Sequence, residues 1–331
     1  MTTPTPLRWN EPAWRDEAIG WAMRALDRHG LALRAWTQPH VRPWSTLLRL
    51  ETDSGLFWLK ANNDGTRAEA ALLETLARLD VPHTPRPLAV DAAHGLSLLP
   101  DGGATSRDHH EGRTPLEQRA AILVAYAAVQ RATQAHTTAL LATGVDDVSP
   151  ARMPAILDGL LCEYEGAGLD EAIAARLRAL RPAYRDACDA LAAAAIAPAI
   201  QHDDLHDNNV LHDGLVVFDW GDAVVGHPFG TLLTALRSIA HHHELAPADP
   251  ALERIADAYL ETWTDVAPLH ELREQARLAI RVGPITRTLA WRRALVGCDD
   301  ASLTEWGDYP GGWLEEIDAD DLPLAPSRLT A

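Results

Sequence analysis

The sequence predicts an α+β chain of two lobes, a small antiparallel-sheet lobe followed by a mostly helical one. Three observations predict it. At 331 residues the chain is longer than one hydrophobic core supports, because single cores stop growing at roughly 250–300 residues. Most strand-like runs crowd into the first hundred residues. Beyond the breaker Pro100-Asp101-Gly102-Gly103 the apolar spacing turns helical. The expected lobes are therefore residues 1–99 and 100–331.

Taken in order, residues 7–30 carry Ile19, Trp21, Ala22, Ala25 and Leu26 at helical spacing, with Gly30 placed to end that helix. Three short runs follow, 31–36, 46–50 and 56–59, the last two joined by Thr52-Asp53-Ser54-Gly55. They read as an antiparallel meander. A helix is predicted over 66–80, with Leu72, Leu73 and Leu76 on one face, and two further strands over 86–90 and 96–99. After the breaker, Thr114-Pro115-Leu116-Glu117 reads as a capping box with proline at the first helical position, opening a helix to about His136. Helices are predicted over 151–165 and 169–195, then a hairpin turning at Asp213-Gly214 between Val210-Leu211 and 215–218. Helices return over 230–245, 249–264, 269–297 and 302–317.

Composition narrows the function classes. Apolar residues make up 47% and charged ones 23%, an ordinary globular balance without repeats. The longest apolar run, 190–200, is far short of the roughly 20 residues a membrane helix needs. The N-terminus lacks the basic start and apolar centre of a signal peptide, so a cytoplasmic protein is expected. Cys162, Cys188 and Cys298 have no paired spacing and read as buried free thiols. The formal charge of −18 repels phosphate backbones, so neither nucleic acid nor membrane is an expected partner. That charge fits a cationic substrate or plain solubility, and says nothing of oligomeric state. Among 29 basic residues Lys60 is the only lysine. Arginine substitutes badly where a compact point charge is needed, which singles Lys60 out.

The chemistry concentrates in Gln201-His202-Asp203-Asp204-Leu205-His206-Asp207-Asn208-Asn209, followed by Val216-Val217-Phe218-Asp219-Trp220-Gly221-Asp222. Phosphoryl transfer needs a carboxylate to orient a hydroxyl and oxygen ligands to hold magnesium against phosphates. Asp204 and Asn209 have the spacing of that carboxylate and amide in a kinase catalytic loop, and Asp219 ends the next strand as the metal-binding aspartate does.

In these residues the chain resembles the aminoglycoside phosphotransferase and choline kinase family, whose fold is protein-kinase-like and whose loop reads His-Gly-Asp-Leu-His-x-x-Asn-Val. The resemblance spans roughly residues 31–300. It implies Asp204 as catalytic base, Asn209 and Asp219 as magnesium ligands, and His202 and His206 as residues shaping the loop. It implies that Lys60 pairs with the phosphates of ATP and that Glu69 holds the lysine, with Glu74 on the same helix as the rival. Leu98, Leu99 and Asp101 fall at the hinge that reads adenine. Asp222, Arg287, Trp291 and Arg292 are the candidate acceptor contacts, with Arg281 and Trp306 nearby; core tryptophans and ion-paired arginines are the alternative. The implied activity is transfer of the γ-phosphate of ATP, with Mg2+, to a hydroxyl of an aminoglycoside, aminosugar, sugar or amino alcohol.

The departures are specific. Asp203 stands where the family usually has glycine and Asp207 where proline is common, and either could face solvent. The loop 38–45 contains no glycine, so Ser45 and neighbouring amides are left to cover the phosphates. Thr231 replaces the aspartate of Gly-x-Pro-x-x-Asp-Leu and is expected to cap the following helix. His241-His242-His243 and His109-His110 read as surface clusters, because adjacent helical positions point in different directions. Three rival functions would leave different marks in the sequence. A protein kinase would need a longer segment after Asp219 to recruit a peptide. A metal-dependent phosphohydrolase would use His202, Asp203, Asp204 and His206. A non-catalytic nucleotide-binding module would not need the full set of Asp204, Asn209, Asp219 and Lys60.

Overall fold

The computed structural model describes residues 4–166, 169–324 and 328–329. The N-terminal part contains α1 (Thr5–Arg8), α2 (Pro12–Asp27), β1 (Leu33–Val41), β2 (Ser45–Thr52), β3 (Gly55–Asn62), α3 (Ala68–Arg78), β4 (Ala89–Asp91) and β5 (Leu96–Pro100). Its five strands form one antiparallel sheet in the order β1-β2-β3-β5-β4. Alternation along β2 and β3 turns Leu48, Leu50, Phe57, Leu59 and Ala61 to one face, where Ala18, Ile19, Ala22, Ala25 and Leu26 of α2 cover them. This small core is separate from the large one. α3 does not join it: Leu72, Leu73 and Leu76 pack into the large core, so α3 sits at the junction.

The remainder is mostly helical: α4 (Ser106–His109), α5 (Leu116–Thr133), α6 (Thr137–Leu141), β6 (Asp146–Val148), α7 (Met153–Gly166), α8 (Glu171–Ala193), β7 (Ala199–Gln201), β8 (Val210–Leu211), β9 (Val216–Val217), β10 (Val224–Gly226), α9 (Thr231–His243), α10 (Pro250–Glu261), α11 (Leu269–Val282), α12 (Pro284–Ala294), α13 (Asp300–Trp306) and α14 (Tyr309–Glu315). Tyr126, Tyr184, Phe229, Tyr259 and Trp263 are fully buried here. No helix among the described residues is long and apolar enough to cross a membrane.

Several expectations need correcting. The first helix is split by Pro12, and β1 runs past Trp36 to Val41 through a bulge between Thr37 and His40. Pro39 is tolerated because β1 is an edge strand. The expected helix over 269–297 is interrupted at Gly283-Pro284, where proline removes a donor and crowds the preceding turn. The last one divides at Gly307 into α13 and α14. β10 pairs with β6 on one side and β7 on the other in a small sheet too short to leave a periodic signal. Thr114 caps nothing: its hydroxyl donates to Ser106 O and Asp207 instead. Thr231 is buried with its hydroxyl unpaired, and Gly230 takes the capping position. Only Cys188 is buried; Cys162 is exposed and Cys298 half-buried.

Candidate active site

The loop after β7 is fixed from several sides. Buried His202 bonds from Nε2 to the Phe218 carbonyl at 2.8 Å and accepts the Asp204 amide at Nδ1. Burial holds its pKa below the ordinary histidine value, and the neutral ring can serve both bonds, one as donor and one as acceptor. Its own amide donates to the Tyr126 hydroxyl at 2.6 Å.

Asp203 has a φ of 64°, the left-handed region that glycine adopts freely and aspartate tolerates. This accounts for the glycine usual at that position. The side chain does not face solvent. Its Oδ1 accepts from Gln201 Nε2 at 2.8 Å and Thr286 Oγ1 at 2.6 Å, and burial raises the carboxyl to about 6. Asp207 is also buried, held by Arg107, Arg119 and Thr114 at 2.6–3.1 Å. Both extra carboxylates are therefore structural anchors of the loop.

Asp204 lies at the centre. Arg287 Nη2 is 3.6 Å from Oδ1 and His206 Nε2 is 3.4 Å from Oδ2, while Asn209 Nδ2 donates to Asp204 O at 3.0 Å and Oδ2 at 3.2 Å. Burial alone would raise the Asp204 carboxyl, but Arg287 and His206 outweigh it and hold it well below the usual range. His206 also accepts the Asn208 amide at Nδ1.

Opposite, Leu59 and Ala61 face the sheet core, so Lys60 points the other way, toward α3. Its ammonium lies 2.7 Å from Glu69 Oε2 and pairs with the Asp219 carboxylate. Burial opposes its charge, yet Asp219 and Glu69 together raise its pKa. Glu69 is fixed in turn by the Trp220 amide at 3.0 Å and Asn62 Nδ2 at 2.8 Å. Glu74 is exposed on α3, so Glu69 is the lysine's partner. Asp219 has a φ of 66° and is followed by fully buried Trp220, whose Nε1 donates to Val217 O.

A cavity of about 110 Å³ lies between these groups, lined by Trp44, Lys60, Asn62, Thr66, Asp204, Asp219, Gly221, Asp222, Arg287, Ala290, Trp291 and Ala294. Of the expected acceptor contacts, Asp222, Arg287 and Trp291 line it. Arg287 is committed, donating to Asp222 Oδ2 at 2.7 Å and the Asp203 carbonyl at 2.9 Å, so it serves the loop. Arg292 does not line the cavity and pairs with Glu163 at 2.8 Å. Ser45 is a buried strand residue; the turn Arg42–Trp44 forms the hairpin tip, and Trp44 rather than Ser45 faces the cavity. Leu98, Leu99 and Asp101 do not line it either. Leu98 is paired on both sides within the sheet, its carbonyl accepting from Leu88 N at 2.7 Å, and Asp101 binds the Trp58 indole at 2.6 Å.

The sequence reading missed Asn62, Thr66, Gly221, Ala290 and Ala294 as lining residues. Asn62 had a usable signal: two residues after Lys60 on one strand, it shares the lysine's face. Trp44 and Trp291 meet edge to face at 5.6 Å, with Trp306 and Tyr309 against Trp291 at 5.6 and 4.4 Å. Trp306 thus belongs to an aromatic cluster at the cavity mouth, whereas Arg281 is buried against Asp318 at 2.7 Å, away from it.

The donor set is suited to magnesium. Asp219 and Asp204 offer carboxylate oxygens, and Asn209, its nitrogen committed to Asp204, offers its amide oxygen. His206 meets Asp204 at 3.4 Å, but Asp203 is turned to Gln201 and Thr286 and His202 to the Phe218 carbonyl, so the four side chains do not gather as a phosphohydrolase would require. Among the described residues the metal-compatible group of histidines and acids is elsewhere, at His109, His110 and His212.

Residues 44–269 match the model of the phosphotransferase enzyme family. No curated protein matches the chain. Among solved structures, a macrolide 2′-phosphotransferase from Brachybacterium faecium is similar, with TM-score 0.55 and 17% identity over 90% of this chain and 98% of that one. An ethanolamine kinase from Plasmodium vivax gives 0.59 and 13% over 86% and 81%. The GDP complex of an aminoglycoside 2′-phosphotransferase gives 0.58 and 12% over 89% and 97%. At these identities the likeness shows the fold, a protein-kinase-like pairing of antiparallel sheet and helical part.

Proposed function

Because the chain belongs to the phosphotransferase enzyme family and is a small-molecule kinase with an alcohol group as acceptor, we propose that it transfers the γ-phosphate of ATP, with Mg2+, to a hydroxyl of an amino- or hydroxyl-rich compound. The observation that carries this reading is the convergence on one cavity of Lys60, Asp219 and Asp204 from three separate elements. We place the nucleotide-binding part in residues 1–99 and the catalytic and acceptor part in 100–331. Three carboxylates, Asp204, Asp219 and Asp222, against two cations, Lys60 and Arg287, line the cavity, a balance that favours an acceptor carrying an amine. The Trp44 and Trp291 rings supply the apolar face on which a sugar ring or ammonium group lies. A cytoplasmic setting, where ATP is abundant, fits this reading.

In the proposed reaction Lys60 binds the phosphates and Glu69 keeps it aimed. Asp219 and Asn209 hold magnesium, which supplies charge neutralisation on the phosphates. Asp204 accepts a hydrogen bond from the acceptor hydroxyl and orients its oxygen in line with the γ-phosphorus. The new bond forms between that oxygen and phosphorus, the bond to the β–γ bridging oxygen breaks, ADP leaves, and the hydroxyl proton passes to Asp204. A carboxylate held as acidic as Asp204 is a weak base, so it contributes orientation first and accepts the proton late.

The deciding experiment measures ADP release from Mg·ATP over pools of aminoglycosides, aminosugars, neutral sugars and amino alcohols, beside Asp204→Ala. Stimulation by one pool in the wild type alone identifies the acceptor class. Equal turnover in Asp204→Ala removes the assignment of that residue. No stimulation together with no Mg·ATP binding by calorimetry removes the kinase mechanism.

A further inference from the structure

Three imidazoles meet outside the active site. His109 ends α4, His110 is its C-cap with φ of −101° and ψ of 23°, and His212 follows β8. On a continuous helix the adjacent His109 and His110 would diverge, but the helix stops between them. Both rings then turn toward His212. His109 and His212 stack at 3.4 Å between centroids and 8° between planes, and His110 stands edge-on to both, at 4.9 and 5.3 Å. One ring nitrogen from each lies within 4.8 Å of the other two.

Their hydrogen bonding is incomplete. His110 Nε2 and His212 Nδ1 are shielded from solvent and have no hydrogen-bond partner. A buried ring nitrogen without a partner is costly and needs an explanation. The other histidine run offers a contrast: His242 Nδ1 and His243 Nε2 are bonded to the Ser238 and Thr114 carbonyls at 2.7 and 3.0 Å.

We propose that His109, His110 and His212 form a binding site for a divalent transition-metal ion of the zinc type, separate from the magnesium site. Three neutral imidazoles with one open position are a donor set that zinc takes, and an all-nitrogen set discriminates against magnesium. Tetrahedral zinc at about 2.0–2.1 Å from each nitrogen sets them about 3.4 Å apart, so the group contracts slightly and the His109–His212 stack splays as both lone pairs turn to the ion. The ion joins two segments already in contact. His212 N donates to the Ala104 carbonyl at 2.9 Å, and Thr105 bridges Leu211. It therefore clamps the segment after β5 to the hairpin that runs from Asn209 to Asp219.

The test titrates Zn2+ into the full chain, stripped with chelator and held in excess Mg2+, by calorimetry, with Co2+ absorption reporting geometry. His212→Ala, His110→Gln and, as control, His241→Ala are compared, with circular dichroism checking each fold. The expected result is one equivalent bound, a rise in Tm, and tetrahedral Co2+ bands. His212→Ala and His110→Gln should weaken binding by at least the roughly 10–100-fold that loss of even a supporting partner costs a metal site; His241→Ala should not. Absence of stoichiometric Zn2+ binding by the wild type, or binding unchanged in folded His212→Ala and His110→Gln, overturns the proposal.

Discussion

The side-chain amide of Asn63, just past β3, donates to the Ala294 carbonyl at the end of α12 at 2.8 Å, tying the sheet to the C-terminal helices. The same nitrogen approaches the Arg293 and Val296 carbonyls at 3.2 and 3.1 Å. Helix-terminal carbonyls lack intrahelical partners, so this side chain gives the Ala294 carbonyl a donor where the helix ends. Asn63→Asp places an acceptor against these carbonyls and should cost about 2–3 kcal/mol, the penalty of unsatisfied buried polar groups. Urea unfolding measures it; a loss under 0.5 kcal/mol (roughly the effect of an ordinary surface change) would show the contact to be incidental.

Lys60 should prove both structural and functional. Lys60→Met leaves Glu69, buried, and Asp219 facing each other without a cation, and should cost about 3–5 kcal/mol. Turnover should fall about 100-fold or more, as with loss of a preorganised charge donor. Adding Glu69→Gln should restore part of the stability and none of the turnover. Normal turnover in Lys60→Met would contradict the nucleotide-binding role.

Asp203 makes stability depend on pH in a stated direction. Its folded pKa is raised to about 6 by burial, so the neutral acid favours folding. That contribution is complete below the ordinary value of 3.8 and is lost as pH rises through about 6. The loss is on the order of 3 kcal/mol, from about two units at 1.36 kcal/mol each. Asp203→Asn, which mimics the neutral acid, should gain on the wild type as pH rises from 3.8 to about 6 and keep that margin at higher pH, in chemical denaturation. Parallel stability curves for the two proteins would rule this out.

The two cavity tryptophans should separate kinetically. Trp291, on α12, lines the cavity; if it contacts the acceptor as proposed, Trp291→Ala should raise acceptor KM about tenfold, near 1.4 kcal/mol of binding, with nucleotide KM little changed. Trp44, at the β1–β2 tip, reaches the same cavity from the sheet, and Trp44→Ala should raise both constants. Identical profiles for the two variants would mean that the rings act only as packing.

What the sequence determined by itself is local. The spacing of Asp204, Asn209 and Asp219 lies within one loop and hairpin, and such short separations fix relative position once the strands form. Lys60 stood out by chemistry, as the one lysine among arginines, and its strand alternation aimed it away from the sheet core. Tertiary structure decided what depends on distant packing. Asp203 and Asp207 could have faced water; they are buried because Thr286, Arg287, Arg107 and Arg119 arrive from elements about 80–100 positions away. Nothing local in the sequence marks Arg287 as engaged; the fold brings Asp222 and Asp204 beside it. Trp44 and Trp291 lie 247 positions apart and meet only because Asn63 and its neighbours close the two parts against each other. Helical periodicity makes His109 and His110 diverge, and the end of α4 at His109 reverses that. Periodicity and spacing carry information over a few turns; convergence across the cleft is set by which faces two separate cores leave to meet.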